Sequence, residues 1–359
     1  MNENAKNEAV RLFHRRDPES AVLLDESHRE NDDRAAYLIT DGGRKTVLKL
    51  AANAFTTIRR IEGWDGLIRE TRARGVYSPA LLPSLNGRPA ETLEADGKRI
   101  VVWEEEFAPY PLAQGRDEDE EAYRIRDAAR PRSSDGSRPA WQEELILFYA
   151  EIGAAHLRGG WGPSMYVRLE APEGDEWDEA EECVLKFEKE ILARFPAFAG
   201  RWQTVRRRWE ENRDALAAVY PRLPASVFQA DWNDTNVLLT EDGHFAGLID
   251  YNISGEDTVL NMAVSIGTYG FNASPDGAEE GEKRLRDTLR LFSSRYPWNE
   301  DEIAAAPLLW HYLNALYWGE VNDLRNAQSE DEAAALLTCV EESLARSVSF
   351  EDVMRGRAE

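Results

Sequence analysis

The stretch that decides the fold runs from residue 227 to residue 252 and reads VFQADWNDTNVLLTEDGHFAGLIDYN. It begins as a short β-like run and ends as a hairpin whose return strand leads into a carboxylate, Asp250. Two further polar side chains, Asp231 and Asn236, precede the hairpin. Because the two ends of a hairpin lie side by side, we expect all three groups to meet at one end of two short strands.

These three side chains suit phosphoryl transfer. That reaction needs one carboxylate to accept or orient the attacking hydroxyl, and an amide oxygen with a second carboxylate to hold Mg²⁺ on the phosphates. The sequence therefore favours a site for phosphoryl transfer that binds Mg²⁺.

The order of Asp231, Asn236 and, after an apolar strand, Asp250 resembles the catalytic loop and metal-binding motif of the protein-kinase-like fold. Within that fold the chain looks most similar to the aminoglycoside phosphotransferase and choline kinase family of small-molecule kinases. The resemblance implies that Asp231 is the catalytic base, that Asn236 is a metal ligand and that Asp250 is the stronger metal ligand. It also implies an α+β, two-lobe fold, with a small antiparallel sheet in the N-terminal lobe and a mainly helical C-terminal lobe.

The sequence before residue 108 independently fits such an N-terminal lobe. It contains β-like runs at 21–24, 35–40, 46–50, 90–93 and 99–107 and a helical pattern at 57–74. Lys49 lies on the third run, where the kinase-like fold places a lysine that contacts the nucleotide phosphates and pairs with a helix glutamate. Glu62 is the first candidate for that partner and Glu70 is the alternative, because spacing alone cannot set the helix register.

Other nucleotide contacts follow from the resemblance. Residues 103–108 would be the linker whose backbone meets the adenine edge, so Glu105 and Phe107 are expected at the nucleotide. The hairpin at 25–31 should cover the phosphates, although it contains no glycine, and there Ser27 and backbone amides would have to serve. A plain surface hairpin is the alternative interpretation of that segment.

We expect two lobes, residues 1–107 and 108–359. Residues 116–140 combine an acidic run with Arg, Pro, Ser and Gly, which predicts a mobile surface insertion. The remaining C-terminal sequence shows helical patterns at 143–157, 178–194, 201–219, 281–295, 303–321 and 330–347. Apolar faces on the last helices can either close a homodimer or complete the core of a monomer.

Two departures from the family pattern bear on activity. Gln229 occupies the position where the family usually has a histidine that braces the loop, and a glutamine can still hydrogen-bond backbone groups. After Asp250, an aspartate that braces this region in relatives is missing from the expected place. The altered stretch leaves the acceptor more uncertain than the nucleotide chemistry.

The acceptor is expected between the catalytic loop and the C-terminal helices. Candidate acceptor residues are Trp232, Asp234, Trp318 and Glu320. Aromatic faces with carboxylates suit a cationic amine, although helical spacing also predicts that most of these aromatic residues fill the core. An aminoglycoside, choline, ethanolamine, homoserine and a sugar all remain open as acceptors.

Composition narrows the possible partners. The 359 residues carry a formal net charge of −24 at pH 7, which would repel a nucleic-acid backbone or an anionic membrane surface. The acidity indicates either a solvated surface or attraction of a cationic substrate. The two cysteines have no metal-ligand spacing, and the N-terminus has no apolar signal region, so a cytoplasmic protein with free thiols is expected.

Two functions therefore remain in competition. The first is a phosphotransferase that moves the γ-phosphate to a small-molecule hydroxyl. The second is a kinase-like module without catalysis that binds a nucleotide or serves a structural role. Retention of Lys49, Asp231, Asn236 and Asp250 favours catalysis, because a scaffold has no physical need for a converged metal site.

Overall fold

The strands of the N-terminal half form a single antiparallel sheet. The computed structural model describes residues 1–29, 32–95, 97–115, 118–133, 136–160, 162–164, 169, 178–269 and 278–356. The described strands are β1 (Ser20–Arg29), β2 (Asp32–Asp41), β3 (Arg44–Ala52), β4 (Leu81–Leu82), β5 (Ala90–Ala95), β6 (Lys98–Glu106), β7 (Ala225–Phe228), β8 (Val237–Leu239), β9 (Phe245–Leu248) and β10 (Gly255–Thr258). The sheet has the order β1-β2-β3-β6-β4, and β5 also pairs with β6.

Helices account for most of the chain after β6. The described helices are α1 (Glu3–Phe13), α2 (Ile58–Ala73), α3 (Glu120–Ala128), α4 (Ala140–Ala154), α5 (Glu179–Arg194), α6 (Ala199–Val219), α7 (Val259–Tyr269), α8 (Ala278–Ser293), α9 (Glu300–Asn314), α10 (Trp318–Asn326), α11 (Glu330–Ala345) and α12 (Glu351–Met354). The described helices do not include one that is both long enough and apolar enough to cross a membrane.

The alternation of β2 and β3 gives the sheet two different faces. On the outer face, Ile39 and Leu48 are buried against Val10 and Phe13 of helix α1. On the inner face, Trp103 packs edge to face against Trp64 of helix α2, with ring centroids 5.6 Å apart. The inner face is therefore the one that meets the rest of the protein.

Backbone contacts attach the sheet lobe to the hairpin β8–β9. The Tyr77 N–H donates to Ala246 O at 2.8 Å, and the Leu248 N–H donates to Tyr77 O at 3.0 Å. A Cβ atom on Gly247 would lie 2.3 Å from the Tyr77 carbonyl oxygen, so only glycine permits this approach. This contact sets the hairpin that precedes Asp250 against the N-terminal lobe.

The α+β organisation predicted from the sequence is confirmed, and one predicted helix needs correction. The predicted helix over 303–321 is two helices, α9 and α10, and the second begins where the Glu320 carboxylate accepts from the Tyr317 N–H. The segment 116–140, predicted as a mobile insertion, contains helix α3, which begins at the N-cap Asp119.

Candidate functional site

A cavity of about 360 Å³ lies between the inner face of the sheet and the end of hairpin β8–β9. Its lining includes Ser27, Arg34, Lys49, Trp103, Asp250 and Asn252. The structure thus brings Ser27, Lys49 and Asp250, three residues predicted from the sequence, to one cavity.

Strand register sorts the inner face into rows of side chains that lie directly opposite one another. The row nearest the end of β6 contains Val22, Leu38, Val47, Glu105 and Leu81. The second row contains Asp25, Ala36, Lys49 and Trp103. The third row contains Ser27, Arg34, Ala51 and Val101. The face therefore changes from mainly apolar to charged with distance from the end of β6.

Lys49 forms ion pairs with both lobes. Its Nζ lies 2.8 Å from Glu105 Oε1 and 3.6 Å from Asp250 Oδ1. Burial raises the pKa of Glu105, and the adjacent Asp250 acts in the same direction, while Lys49 opposes the rise. These contacts hold the lysine ammonium beside Asp250.

The lysine partner expected from the sequence is corrected by this geometry. Glu105 lies diagonally across from Lys49 on the neighbouring strand, within reach of a lysine side chain. Helix α2 instead turns Trp64 to the sheet, which leaves Glu62 exposed, and Glu70 pairs with Arg74 at 2.7 Å. Glu105 is consequently a strand residue that pairs through its side chain, rather than part of the linker.

Phe107 is the first residue after β6 and is 41% exposed. The Lys45 Nζ lies 5.6 Å from the centroid of its ring. Phe107 lies within the predicted linker 103–108, although residues 103–106 of that segment belong to strand β6.

Asp231 sits in the loop between β7 and β8, where it is half-buried. Its carboxylate accepts a hydrogen bond from Asn233 Nδ2 at 2.5 Å and another from the Asn236 side chain. Burial raises the pKa of Asp231 to about 7, as does the charge of Asp250, whereas the bonds from Asn233 and Asn236 and the charge of Arg34 oppose the rise. The charges of Asp250 and Arg34 therefore both act on the Asp231 carboxylate.

Gln229 ties the two acidic positions together. Its Nε2 donates to the carbonyl oxygens of Ile249 at 2.8 Å and Asp250 at 2.6 Å. Its Oε1 accepts from the Asp231 N–H at 2.8 Å and from the Tyr149 hydroxyl at 2.9 Å. The expectation that glutamine would brace this loop through backbone groups agrees with these contacts.

Asn236 and Asp250 are the candidate metal ligands. The Ile249 N–H donates to Asn236 O at 2.9 Å, which couples the strand before Asp250 to the catalytic loop. The Asp250 side chain is 25% exposed at the cavity. No cluster of three or more His, Cys, Asp or Glu side chains suited to a metal occurs in the described ranges, so this pair would need oxygens from phosphates or water to complete a Mg²⁺ shell.

The residues predicted for the acceptor do not gather in the cavity. Trp232 is 7% exposed and packs edge to face on Tyr149, and Lys186 covers the ring of Trp318 at 4.0 Å. The Glu320 carboxylate caps helix α10 by accepting from the Tyr317 N–H at 2.9 Å. Glu320 lines a separate hollow of about 720 Å³ between α9, α10 and α11. Core packing and helix capping thus account for these three side chains.

Asp234 is fully buried beneath helix α3. The Tyr123 hydroxyl donates to its Oδ2, while its Oδ1 is buried without a hydrogen-bond partner among the described residues. Burial raises the pKa of Asp234 to about 6, and the hydrogen bond from Tyr123 opposes that rise. The composition of 116–140 gave no signal of this docking.

The brace missing from the expected position after Asp250 is supplied by Asp257. Its carboxylate accepts from Ser164 Oγ at 2.8 Å, from Asn261 Nδ2 at 2.9 Å and from the Tyr220 hydroxyl at 3.2 Å. A buried carboxylate with several donors is a stable arrangement. Hydrogen bonds to the Asp257 carboxylate therefore hold the stretch after Asp250 in place.

A cavity-lining residue that the sequence reasoning missed is Arg34. The alternation of DRAAYLIT over 33–40 places Arg34 on the same face as Ala36 and Leu38, and that pattern could have found it. Its side chain is 32% exposed and lines the cavity with Lys49.

Comparison with known proteins supports the fold. No family model matches the chain, and no curated protein matches it. A solved structure of a microcompartment-associated aminopropanol kinase has a TM-score of 0.54 at 15% identity, covering 96% of this chain and 96% of that chain. An amicoumacin kinase in complex with AMP-PNP and Ca²⁺ has a TM-score of 0.54 at 18% identity, covering 98% and 95%. The chain thus has the two-lobe fold of small-molecule kinases, and the resemblance inferred from the sequence is confirmed at the level of the fold.

Proposed function

We propose that this protein is a phosphotransferase that uses Mg²⁺ and ATP or GTP to phosphorylate a hydroxyl of a small molecule. The observation that carries the proposal is the contact of Lys49 with Asp250 across the two lobes, with Asp231 near enough for the charge of Asp250 to act on it. A cation for phosphates, a metal-binding carboxylate and a base are the groups that phosphoryl transfer requires.

The nucleotide would lie along the rows of the inner face. Val22, Leu38, Val47 and Leu81 are partly or largely exposed in the row nearest Phe107, although they are apolar. Such a surface suits the flat face of a purine, with the linker backbone at its edge. The phosphates would then extend toward Lys49 in the next row.

The metal site fits Mg²⁺ by its donor chemistry. Asn236 offers an amide oxygen and Asp250 offers a carboxylate, the hard oxygen ligands that Mg²⁺ prefers. When bound, Mg²⁺ neutralises charge on the phosphates. The ion pair with Lys49 would orient Asp250 toward them.

Asp231 would act as the base. The acceptor oxygen forms a bond to the γ-phosphorus, the bond from that phosphorus to the bridging β–γ oxygen breaks, and the hydroxyl proton passes to the Asp231 carboxylate. Hydrogen bonds from Asn233 and Asn236 hold that carboxylate in place. The nucleoside diphosphate is the leaving group.

A cationic amino alcohol is the acceptor class we favour. The chain carries a net charge of −24, and as the base Asp231 would place a carboxylate beside the acceptor hydroxyl. One of the structural neighbours acts on aminopropanol, a compound with both an amine and a hydroxyl. Charge attraction would raise the local concentration of such a cation.

Thermal unfolding with and without nucleotide tests the proposal. We expect MgATP or MgGTP to stabilise the wild-type protein, by about 2.7 kcal/mol at a ligand concentration 100 times Kd. Asp250→Asn should lose most of this stabilisation, because it removes the charge while asparagine still tolerates the positive φ of 62°. The exposed Glu241 lies in the turn between β8 and β9, so Glu241→Gln is the matched control and should respond as wild type.

Addition of amino alcohols, aminoglycosides and sugars to the nucleotide complex then selects the acceptor for a transfer assay. Stabilisation by nucleotide that is equal in wild type and Asp250→Asn would contradict the assigned metal site. Nucleotide binding without transfer to any acceptor would favour the non-catalytic module.

A further inference from the structure

Arg34 occupies the third row of the inner face, one row beyond Lys49. Two residues along a strand correspond to a step of about 6.8 Å, so Arg34 lies farther than Lys49 from the linker. Its direct cross-strand neighbours are Ser27 on β1 and Ala51 on β3. Along this face the order is apolar surface, lysine and arginine, which parallels the order of base, inner phosphates and terminal phosphate in a nucleoside triphosphate.

The guanidinium of Arg34 is held in place with a donor unused. Its Nη2 donates to Asp32 Oδ2 at 2.7 Å, and Asp32 Oδ1 accepts from Asn53 Nδ2 at 2.8 Å. The Nε of Arg34 is buried and has no hydrogen-bond partner within the described ranges. A guanidinium has five donors in a fixed fork, so anchoring one end to Asp32 leaves the rest for an anion.

The charges that line the cavity leave a role for a second cation beside Lys49. Of its described lining residues, Lys49 and Arg34 are the two with cationic side chains, beside the carboxylates of Asp25, Glu26 and Asp250. The hairpin at 25–31 has no glycine, so the close backbone approach that glycine-rich loops give to phosphates is not encoded there. A side-chain cation on β2 would supply the missing donors.

On the basis of the proposed function, we propose that Arg34 binds the terminal phosphate of the nucleoside triphosphate. Its guanidinium neutralises the charge that develops on that phosphate during transfer. Asp32 acts as a positioning residue, because its carboxylate fixes the guanidinium. Arg34 faces the catalytic loop closely enough to act on the charge of Asp231. A planar guanidinium fork at this position can contact two oxygens of the terminal phosphate.

Calorimetric titration with Mg·AMP-PNP and with Mg·ADP separates the terminal phosphate from the rest of the nucleotide. We expect Arg34→Ala to raise the Kd for Mg·AMP-PNP about 10- to 100-fold and to leave that for Mg·ADP within about twofold of wild type. Arg34→Lys keeps the charge but loses the fork, so an intermediate loss confined to AMP-PNP is expected. Arg99→Ala removes an exposed arginine of strand β6 and should leave both affinities unchanged.

If Arg34→Ala no longer shows cooperative thermal unfolding, it has failed to fold. The nucleotide affinities of Arg34→Lys then test the role of Arg34. An equal loss for both nucleotides, or no loss for either, would overturn the role of Arg34 and leave the proposed function standing. If the wild-type protein bound neither Mg²⁺-nucleotide, the proposed function and the role of Arg34 would both be overturned.

Discussion

Two residues of the candidate site adopt backbone conformations that L-amino acids disfavour. Ala230 has a φ of 68° and Asp250 has a φ of 62°. Each such position costs on the order of 1–3 kcal/mol and persists only when its surroundings determine it. Gln229 supplies those surroundings through its bonds to the Asp231 N–H and to the Asp250 carbonyl oxygen. The strained backbone orients the carboxylates of Asp231 and Asp250, and the Gln229 side chain maintains the strain.

At the same scale, Asp231→Asn tests the role of the base. We expect turnover with the identified acceptor to fall by about 10²- to 10⁴-fold, the usual worth of a positioned proton acceptor. That fall corresponds to roughly 3–5 kcal/mol of barrier. Nucleotide affinity should change little, because Asp231 is not a proposed phosphate ligand. Steady-state kinetics and nucleotide titration on the same preparation give both quantities.

The control for this variant is Asp242→Asn, an exposed carboxylate in the turn that follows β8. It should keep wild-type turnover. If Asp231→Asn were as active as this control, Asp231 would not be the base, although the assignment of the fold would stand.

At the scale of elements, the sequence predicted β2 and β3 well because each alternates between a buried and a more exposed face. Residues 35–40 alternate so clearly that the position of β2, and with it the placement of Lys49 on β3, follows from the pattern. The partner of Lys49 could not be predicted in the same way. Glu62, Glu70 and Glu105 are all plausible in sequence, and only the register of β3 against β6 selects Glu105.

Helix α3 is the element that sequence reasoning missed most completely. Its sequence is mainly polar and charged, so it lacks the strong apolar pattern that predicts a helix packed on the core. The docking depends on polar contacts instead: Tyr123 donates to Asp234, and Arg126 donates to the Ala113 carbonyl oxygen at 2.8 Å. Specific hydrogen bonds of this kind cannot be deduced from hydrophobic patterning.

Tyr123→Phe tests whether this docking stabilises the catalytic loop. The change leaves the buried Asp234 carboxylate without its hydroxyl donor, and an unsatisfied buried group costs about 1–3 kcal/mol. Because the pKa of Asp234 is raised to about 6, the penalty should be larger at pH 8, where the group is charged, than at pH 5. Urea unfolding at both pH values measures it.

Tyr110→Phe is the matched control, since Tyr110 is 38% exposed and its hydroxyl can bond water. It should change stability little at either pH. An equal cost for both variants, or a cost for Tyr123→Phe that is independent of pH, would contradict the role given to helix α3.

At the scale of the whole molecule, two kinds of charge act on stability. The net charge of −24 is spread over the surface and opposes the compact state through self-repulsion, which salt screens. Buried carboxylates form the second kind. Glu302, at the start of α9, is 0% exposed and accepts from the Tyr296 hydroxyl at 2.9 Å and from the Asn299 N–H at 3.0 Å.

The two kinds predict a fall in the free energy of unfolding as pH rises from about 5 to 8. Burial raises the pKa of Glu302 to about 7, so between its unfolded and folded pKa values the folded state binds more protons than the unfolded state. The slope of stability against pH is therefore negative in that window. The pKa values of His14 and His244, raised by bonds to Glu104 and Glu144, act in the same direction; His311, whose pKa burial lowers, opposes it.

Urea unfolding across this pH range, at low and high NaCl, separates the contributions. Salt should reduce the part of the slope due to surface repulsion and leave the part due to Glu302, because a buried charge is poorly screened. Glu302→Gln should flatten the slope that remains at high salt, whereas Glu330→Gln, an exposed residue in the first turn of α11, should not. If the high-salt slopes of wild type and Glu302→Gln were equal, titration of Glu302 would not be coupled to folding, and the slope that remains would belong to the other groups whose pKa is raised, Asp231, Asp234, His14 and His244.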